Sequence, residues 1–258
     1  MDYQKLAASL LQAYKQHQPL SMLNYTESVR DINNAYQIQH VFTAGKSTPL
    51  GGYKISLTNK ITQMLFRMDE PLYGQLEHSH ILYAPTTLSL VQMNEPLIEA
   101  ELGFIAKTDL SYGISDADLL KHVWVTGCIE IPDSRFAHWF PALNKYLIIA
   151  DGAVGGYIVC GERIDGHDLQ VENLSEIQVE LTLDNQTVIT GQARAVMDNP
   201  LSALQWLLKK LAEHGLSLHT GEVVSSGAFF LTHKLVAGEY NAHFSGALSQ
   251  SLTLHVLP

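Results

Sequence analysis

Apolar and polar positions change period along this chain, and the changes divide it. Leu6, Leu10 and Tyr14 recur on one face, which predicts a helix over residues 2–17. Ala35, Ile38, Val41 and Phe42 predict a second over residues 33–43, ended by Gly45 and Pro49. Gly51-Gly52 then turns into a short strand through Thr58, and Thr58-Asn59-Lys60 offers a capped start for a helix carrying Ile61, Met64 and Leu65. Residues 68–74, with Asp69, Pro71 and Gly74, read as a turn-rich loop. From Ser79 onward the texture shifts to short strands broken by glycine, proline and acidic turns. Residues 96–105 and 123–131 read as strands, and residues 144–161 as two apolar segments around Asp151-Gly152-Ala153-Val154-Gly155-Gly156. Residues 176–183 alternate in part, and Asp184-Asn185 turns them into Thr187–Thr190. Asn199 and Pro200 open the clearest helix, with Leu201, Leu204, Leu208 and Leu211 on one face and Gly215 after it. Residues 222–230, 243–244 and 251–256 return to strands. Strands outnumber helices beyond residue 80 without the strict alternation of a parallel sheet.

Two of these strands carry carboxylates where apolar residues are expected. In Ile98-Glu99-Ala100-Glu101-Leu102 the period of two puts both glutamates on one face, and Glu130 interrupts Cys128-Ile129-Glu130-Ile131. A carboxylate entering an apolar strand loses hydration and needs a partner to stay ionised. Three converging on one divalent cation would supply it, and ligands that are all oxygen favour Mg²⁺ or Mn²⁺ over Zn²⁺. Lys54 also lies inside an apolar strand, where its chain either reaches to solvent or serves a site.

Composition narrows the partners. The 258 residues are 46% hydrophobic and 16% charged, enough for one large core, and the net charge is −10. That balance argues against nucleic acid or an anionic membrane as partner. It leaves an anionic substrate open, because a metal reverses the local field. Cys128 and Cys160, the only cysteines, read as buried free thiols. Met1-Asp2-Tyr3-Gln4-Lys5 lacks the pattern of a signal peptide, and the longest apolar run, residues 147–160, is broken by Asp151 and three glycines. A soluble cytoplasmic protein is expected. His78 and His80 have no evident third ligand nearby and read as a turn-exposed pair. No P-loop, dinucleotide fingerprint or Gly-x-Ser-x-Gly elbow is present.

Six segments in order resemble one family. They are Lys54-Ile55-Ser56-Leu57-Thr58, Asp69-Glu70-Pro71-Leu72-Tyr73-Gly74, Ile98-Glu99-Ala100-Glu101, Glu130-Ile131-Pro132-Asp133-Ser134-Arg135, Asn199-Pro200-Leu201, and the stretch from Thr220 to Ala228. Together they resemble the 2-keto-4-pentenoate hydratase and 4-oxalocrotonate decarboxylase group of the fumarylacetoacetate hydrolase superfamily, from about residue 30 to the end. The resemblance implies an α+β fold: a mixed β-roll catalytic core with an N-terminal helical portion. We expect residues 1–78 to form that portion, packed on a metal-binding core of residues 79–258 as one structural unit.

The resemblance further implies Mg²⁺ or Mn²⁺ on Glu99, Glu101 and Glu130, catalytic parts for Lys54 and Asp69, substrate contacts from Asp151, Ser226 and Gly227, and a homo-oligomer. The expected substrate is a small anionic 2-oxo or 2-hydroxy-dienoic acid of aromatic catabolism. Hydration leads, with decarboxylation of a 2-oxo-enedioate as the nearest alternative. Acylpyruvate hydrolysis and a non-catalytic homologue follow. One departure bears on the reaction: Asp151-Gly152-Ala153-Val154 stands where the family commonly has Asp-Asn-Ala-Ser. Tyr53 and Ser56 likewise replace a common arginine and glycine around Lys54.

Overall fold

The computed structural model describes residues 3–258, so the expected helix start at residue 2 lies outside the described residues. The first helix is Tyr3–Gln16, which buries Leu6, Ala7, Leu10 and Ala13. The second is Ile32–Ala44, one residue earlier than its periodicity suggests, because the Asp31 side chain accepts the Asn34 amide and caps it. Val41 is exposed rather than on the apolar face; Gln39 takes the buried place. Its amide donates to the carbonyls of Tyr73 and Ile149, joining the helix to the sheet and to the segment before Asp151.

The main sheet has nine strands. Its central path runs Leu72–Glu77, Leu50–Ser56, Val223–Ser225, Leu97–Ala106, Val123–Ile131, Tyr157–Cys160 and Ile81–Tyr83; two short strands pair at its margins. A five-stranded sheet, led by the hairpin Gln178–Leu183 and Gln186–Gln192, continues through Gly238–Ser245, Gln250–Leu257 and Thr86–Ser89. Parallel and antiparallel pairs are mixed in both, in keeping with strands that lack strict alternation with helices. Strands Leu50–Ser56 and Leu72–Glu77 of the expected helical portion belong to the same sheet as the strands beyond residue 79.

Three expectations need correction. The turn-rich loop ends at Pro71, and Leu72–Glu77 is a fully buried strand. Gly74 fits inside it because a Cβ there would lie 2.0 Å from the Gly152 carbonyl oxygen. The strand expected over 222–230 is only Val223–Ser225. The one expected at 243–244 extends over Gly238–Ser245. The helix Pro200–Glu213 is as anticipated: the Asn199 side chain accepts the Leu201 amide, and the leucine face is buried. No helix among the described residues is long and apolar enough to cross a membrane.

Candidate metal centre and active site

The antiparallel pair Leu97–Ala106 and Val123–Ile131 builds the centre. Its register sets Glu99 opposite Glu130 and Glu101 opposite Cys128, so all three glutamates meet on one face of two adjacent strands. One carboxylate oxygen from each lies within 4.8 Å of the others. Glu101 and Glu130 are fully buried, and Glu99 is half-buried at the edge.

Each carboxylate is held differently. Glu101 Oε2 accepts the Ser225 hydroxyl, and the Gly227 amide at 2.6 Å. That amide can approach because Gly227 has φ +113°, and a Cβ there would run into Thr58. Glu130 Oε1 lies 2.6 Å from Lys54 Nζ, which also donates to the Ala153 carbonyl at 3.1 Å. Glu101 Oε1 and Glu130 Oε2 are buried with no hydrogen-bond donor among the described residues.

Orphaned buried carboxylate oxygens are costly, and here they point at a common centre. Burial first, then Glu130, pushes Glu99 up to about 7 against the pull of Lys54. Burial, Glu130 and Glu99 push Glu101 well above the usual carboxylate range, with Ser225 and Lys54 opposing. Burial alone would lower Lys54, but Glu130 and Glu99 overcome it and the net shift is upward, so the lysine keeps its proton. Three carboxylates and one ammonium leave two negative charges, which one divalent cation balances. All the free donors are hard oxygens, so the residues present fit Mg²⁺ or Mn²⁺.

Lys54 and Glu99 open onto a cavity of about 640 Å³. Its walls come from Ile55 and the helix Lys60–Leu65, from Trp139 and Phe140, from Ile148 and Val154, and from Ala228 and residues 230–232. Ser226, buried behind the Glu101 strand, has a hydroxyl without a partner among the described residues. Gly227 and Lys54 lie against Glu101 and Glu130.

Asp69 and Asp151 do not. Asp69 is exposed in the loop before Leu72 and lines no part of the cavity. Asp151 is buried, but its carboxylate is occupied by the Ser134 hydroxyl at 2.7 Å, the Arg135 amide at 3.0 Å and the Arg135 guanidinium. Arg135 also donates to the carbonyls of Asp151 and Gly155. The pair clamps a turn in which Gly152, Ala153 and Val154 all have left-handed φ, of 68°, 53° and 52°. A β-branched residue avoids that region, so the clamp holds Val154 against its preference. Val154 lies on the cavity wall, and Ala153 presents its carbonyl to Lys54. Arg135 was missed as a positioning residue because its partner lies 16 residues away, across a turn that periodicity does not register.

No protein-family model matches the chain. It is 30% identical over 251 residues to the 2-keto-4-pentenoate hydratase of Paraburkholderia xenovorans (strain LB400), covering 94% of this chain and 91% of that one. Among solved structures it superposes on the 4-oxalocrotonate decarboxylase of Pseudomonas putida G7, complexed with magnesium and adipate, with a TM-score of 0.88 at 19% identity; 99% of this chain and 97% of that one are covered. The fumarylpyruvate hydrolase of Pseudomonas aeruginosa, in complex with Mn²⁺ and pyruvate, gives a TM-score of 0.60 at 13% identity, covering 81% and 90%. With a relative at this identity over nearly its whole length, and a fold shared with these structures, the chain belongs to the 2-keto-4-pentenoate hydratase family.

Proposed function

We propose that this chain is a divalent-metal-dependent hydro-lyase that adds water to a 2-hydroxy-2,4-dienoate, as the hydratase names of its relatives suggest. The observation that carries the reading is the buried Glu99–Glu101–Glu130 cluster, with orphaned oxygens, beside Lys54 at a cavity wall. Glu99, Glu101 and Glu130 would hold Mg²⁺ or Mn²⁺, which when bound acts as a Lewis acid toward the carboxylate and C2 oxygen of a 2-oxo acid.

The chain's own residues then account for the rest. Lys54 carries a proton on Nζ and is the one ammonium on the cavity wall among the described residues, suited to offset substrate charge and to deliver a proton. Ketonisation moves the C2 hydroxyl proton to solvent and adds a proton at C5, delivered by Lys54 or solvent. Water then adds across C3 and C4, its oxygen to C4. The apolar walls keep bulk water from the reacting carbons. Gly227 holds Glu101 in place through its amide. An acid/base part for Asp69 finds no support in its exposed position, and Asp151 acts through Arg135 on the 152–154 turn.

A homo-oligomer and a cytoplasmic location belong to the same proposal. Cys128 and Cys160 face each other in register yet are free thiols, which suits a reducing compartment. The test is spectroscopic. With 2-hydroxypenta-2,4-dienoate and Mn²⁺, the dienol ultraviolet band should disappear without CO₂ release, and EDTA should stop its loss. Stoichiometric CO₂ from a 2-oxo-enedioate would identify a decarboxylase instead.

A further inference from the structure

The cavity is much larger than the reaction needs and is charged only where the glutamates are. Exposure rises from 1% at Lys54 to 60% at Leu231 and 78% at Met64, so the carboxylates lie at the deep end and the mouth is apolar. Lys54 and Glu99 are the only charged side chains lining it among the described residues. Two nearby cations are engaged elsewhere: Lys60 donates to Gln63, and Lys145 to the Arg67 carbonyl. Trp139 is fixed by donating its indole N–H to the Glu95 carbonyl, so one wall is a pinned aromatic face.

A second substrate carboxylate in this space would face Phe66, Phe140, Phe230 and Leu231, with only neutral Ser56, Thr58, Asn59, Thr62 and Thr232 as polar neighbours and no cation on the wall beyond Lys54 among the described residues. The short pentadienoic acid would leave most of about 640 Å³ unfilled, a volume in the range of pockets for far larger ligands. Where the family resemblance would have a serine, Val154 adds a methyl-bearing surface to the same wall. Resting on the hydratase reading, we infer that the substrate is a monoanionic 2-hydroxy-2,4-dienoate with a bulky apolar tail, aryl or alkyl, lying against the Trp139–Phe140 and Ile61–Met64 walls. The reaction that supplies it would be hydrolytic C–C cleavage of the 6-oxo ring-cleavage product of a catechol bearing an apolar substituent, with the C6 carbon leaving as a carboxylic acid.

The test is a tail series on the full Mn²⁺-loaded chain. The 2-hydroxy-2,4-dienoates would end in hydrogen, propyl, phenyl or carboxymethyl, with kcat/KM read from loss of the dienol band. Inert saturated 2-oxo acids with the same tails would be titrated by calorimetry in parallel. Both kcat/KM and affinity should rise by about fourfold per buried methylene and roughly thirtyfold for phenyl, with carboxymethyl below hydrogen. Leu231→Glu and Met64→Glu, both at exposed positions, should lower the phenyl-to-hydrogen ratio while circular dichroism stays native. Equal constants across the tails, or a carboxymethyl tail that matches propyl, overturn the inference. If no dienoate turns over, the hydratase reading fails, and the binding order of the 2-oxo acids still decides the tail.

Discussion

At the scale of single residues, Lys54 governs the charge balance. Without it, three buried carboxylates would face one another with no internal counter-charge, and a divalent ion would still leave one negative charge. Lys54→Met should therefore keep metal binding but lower kcat by at least about 100-fold, the scale of a lost proton-transfer group. Near-normal turnover would remove Lys54 from the mechanism. The three glutamates were legible in the sequence because each interrupts an apolar strand, and the period of two puts Glu99 and Glu101 on one face. Asp151 is equally embedded in an apolar stretch, yet its partner is Arg135 rather than a ligand. A buried carboxylate announces that it has a partner; only the fold says which one.

Among elements, the junction between helix Tyr3–Gln16 and the sheet is polar. Tyr14 donates to Glu77, while His80 lies 3.0 Å from the Tyr14 hydroxyl, 2.6 Å from the Gly156 carbonyl, and stacks on Tyr157. Burial, then Lys46, pushes His80 down to about 4 against Glu77 and Gly156. The folded value lies below the unfolded one, so as pH falls from about 6.5 the unfolded chain takes up the proton first. Stability contributed by the neutral ring is full above about 6.5 and drains away down to about 4, by about 3 kcal/mol. Guanidinium unfolding at pH 7 and 4.5 should show this loss, and His80→Gln should show a smaller one; equal losses would exclude His80 as the cause. Elements with strong local periods, such as Leu97–Ala106 and Pro200–Glu213, were readable from the chain. Leu72–Glu77 was not, because Asp69-Glu70-Pro71 and Gly74 look like a turn. Gly74 is instead demanded by the backbone of Gly152, a contact 78 residues away in sequence that no local pattern encodes.

For the whole molecule, two strands that form one antiparallel pair carry the carboxylate cluster, while other segments build the cavity beside it. The net charge of −10 is no obstacle to an anionic substrate, since the site combines Lys54 with a carboxylate cluster fitted to a cation. Everything in this account depends on that cluster holding a metal. The most direct test is a Mn²⁺ titration of the wild-type chain and Glu101→Gln, followed by electron paramagnetic resonance. One tightly held ion per wild-type chain is predicted, with affinity at least about 100-fold weaker in the variant. Equal affinity in the two, or no bound ion in the wild type, would contradict it.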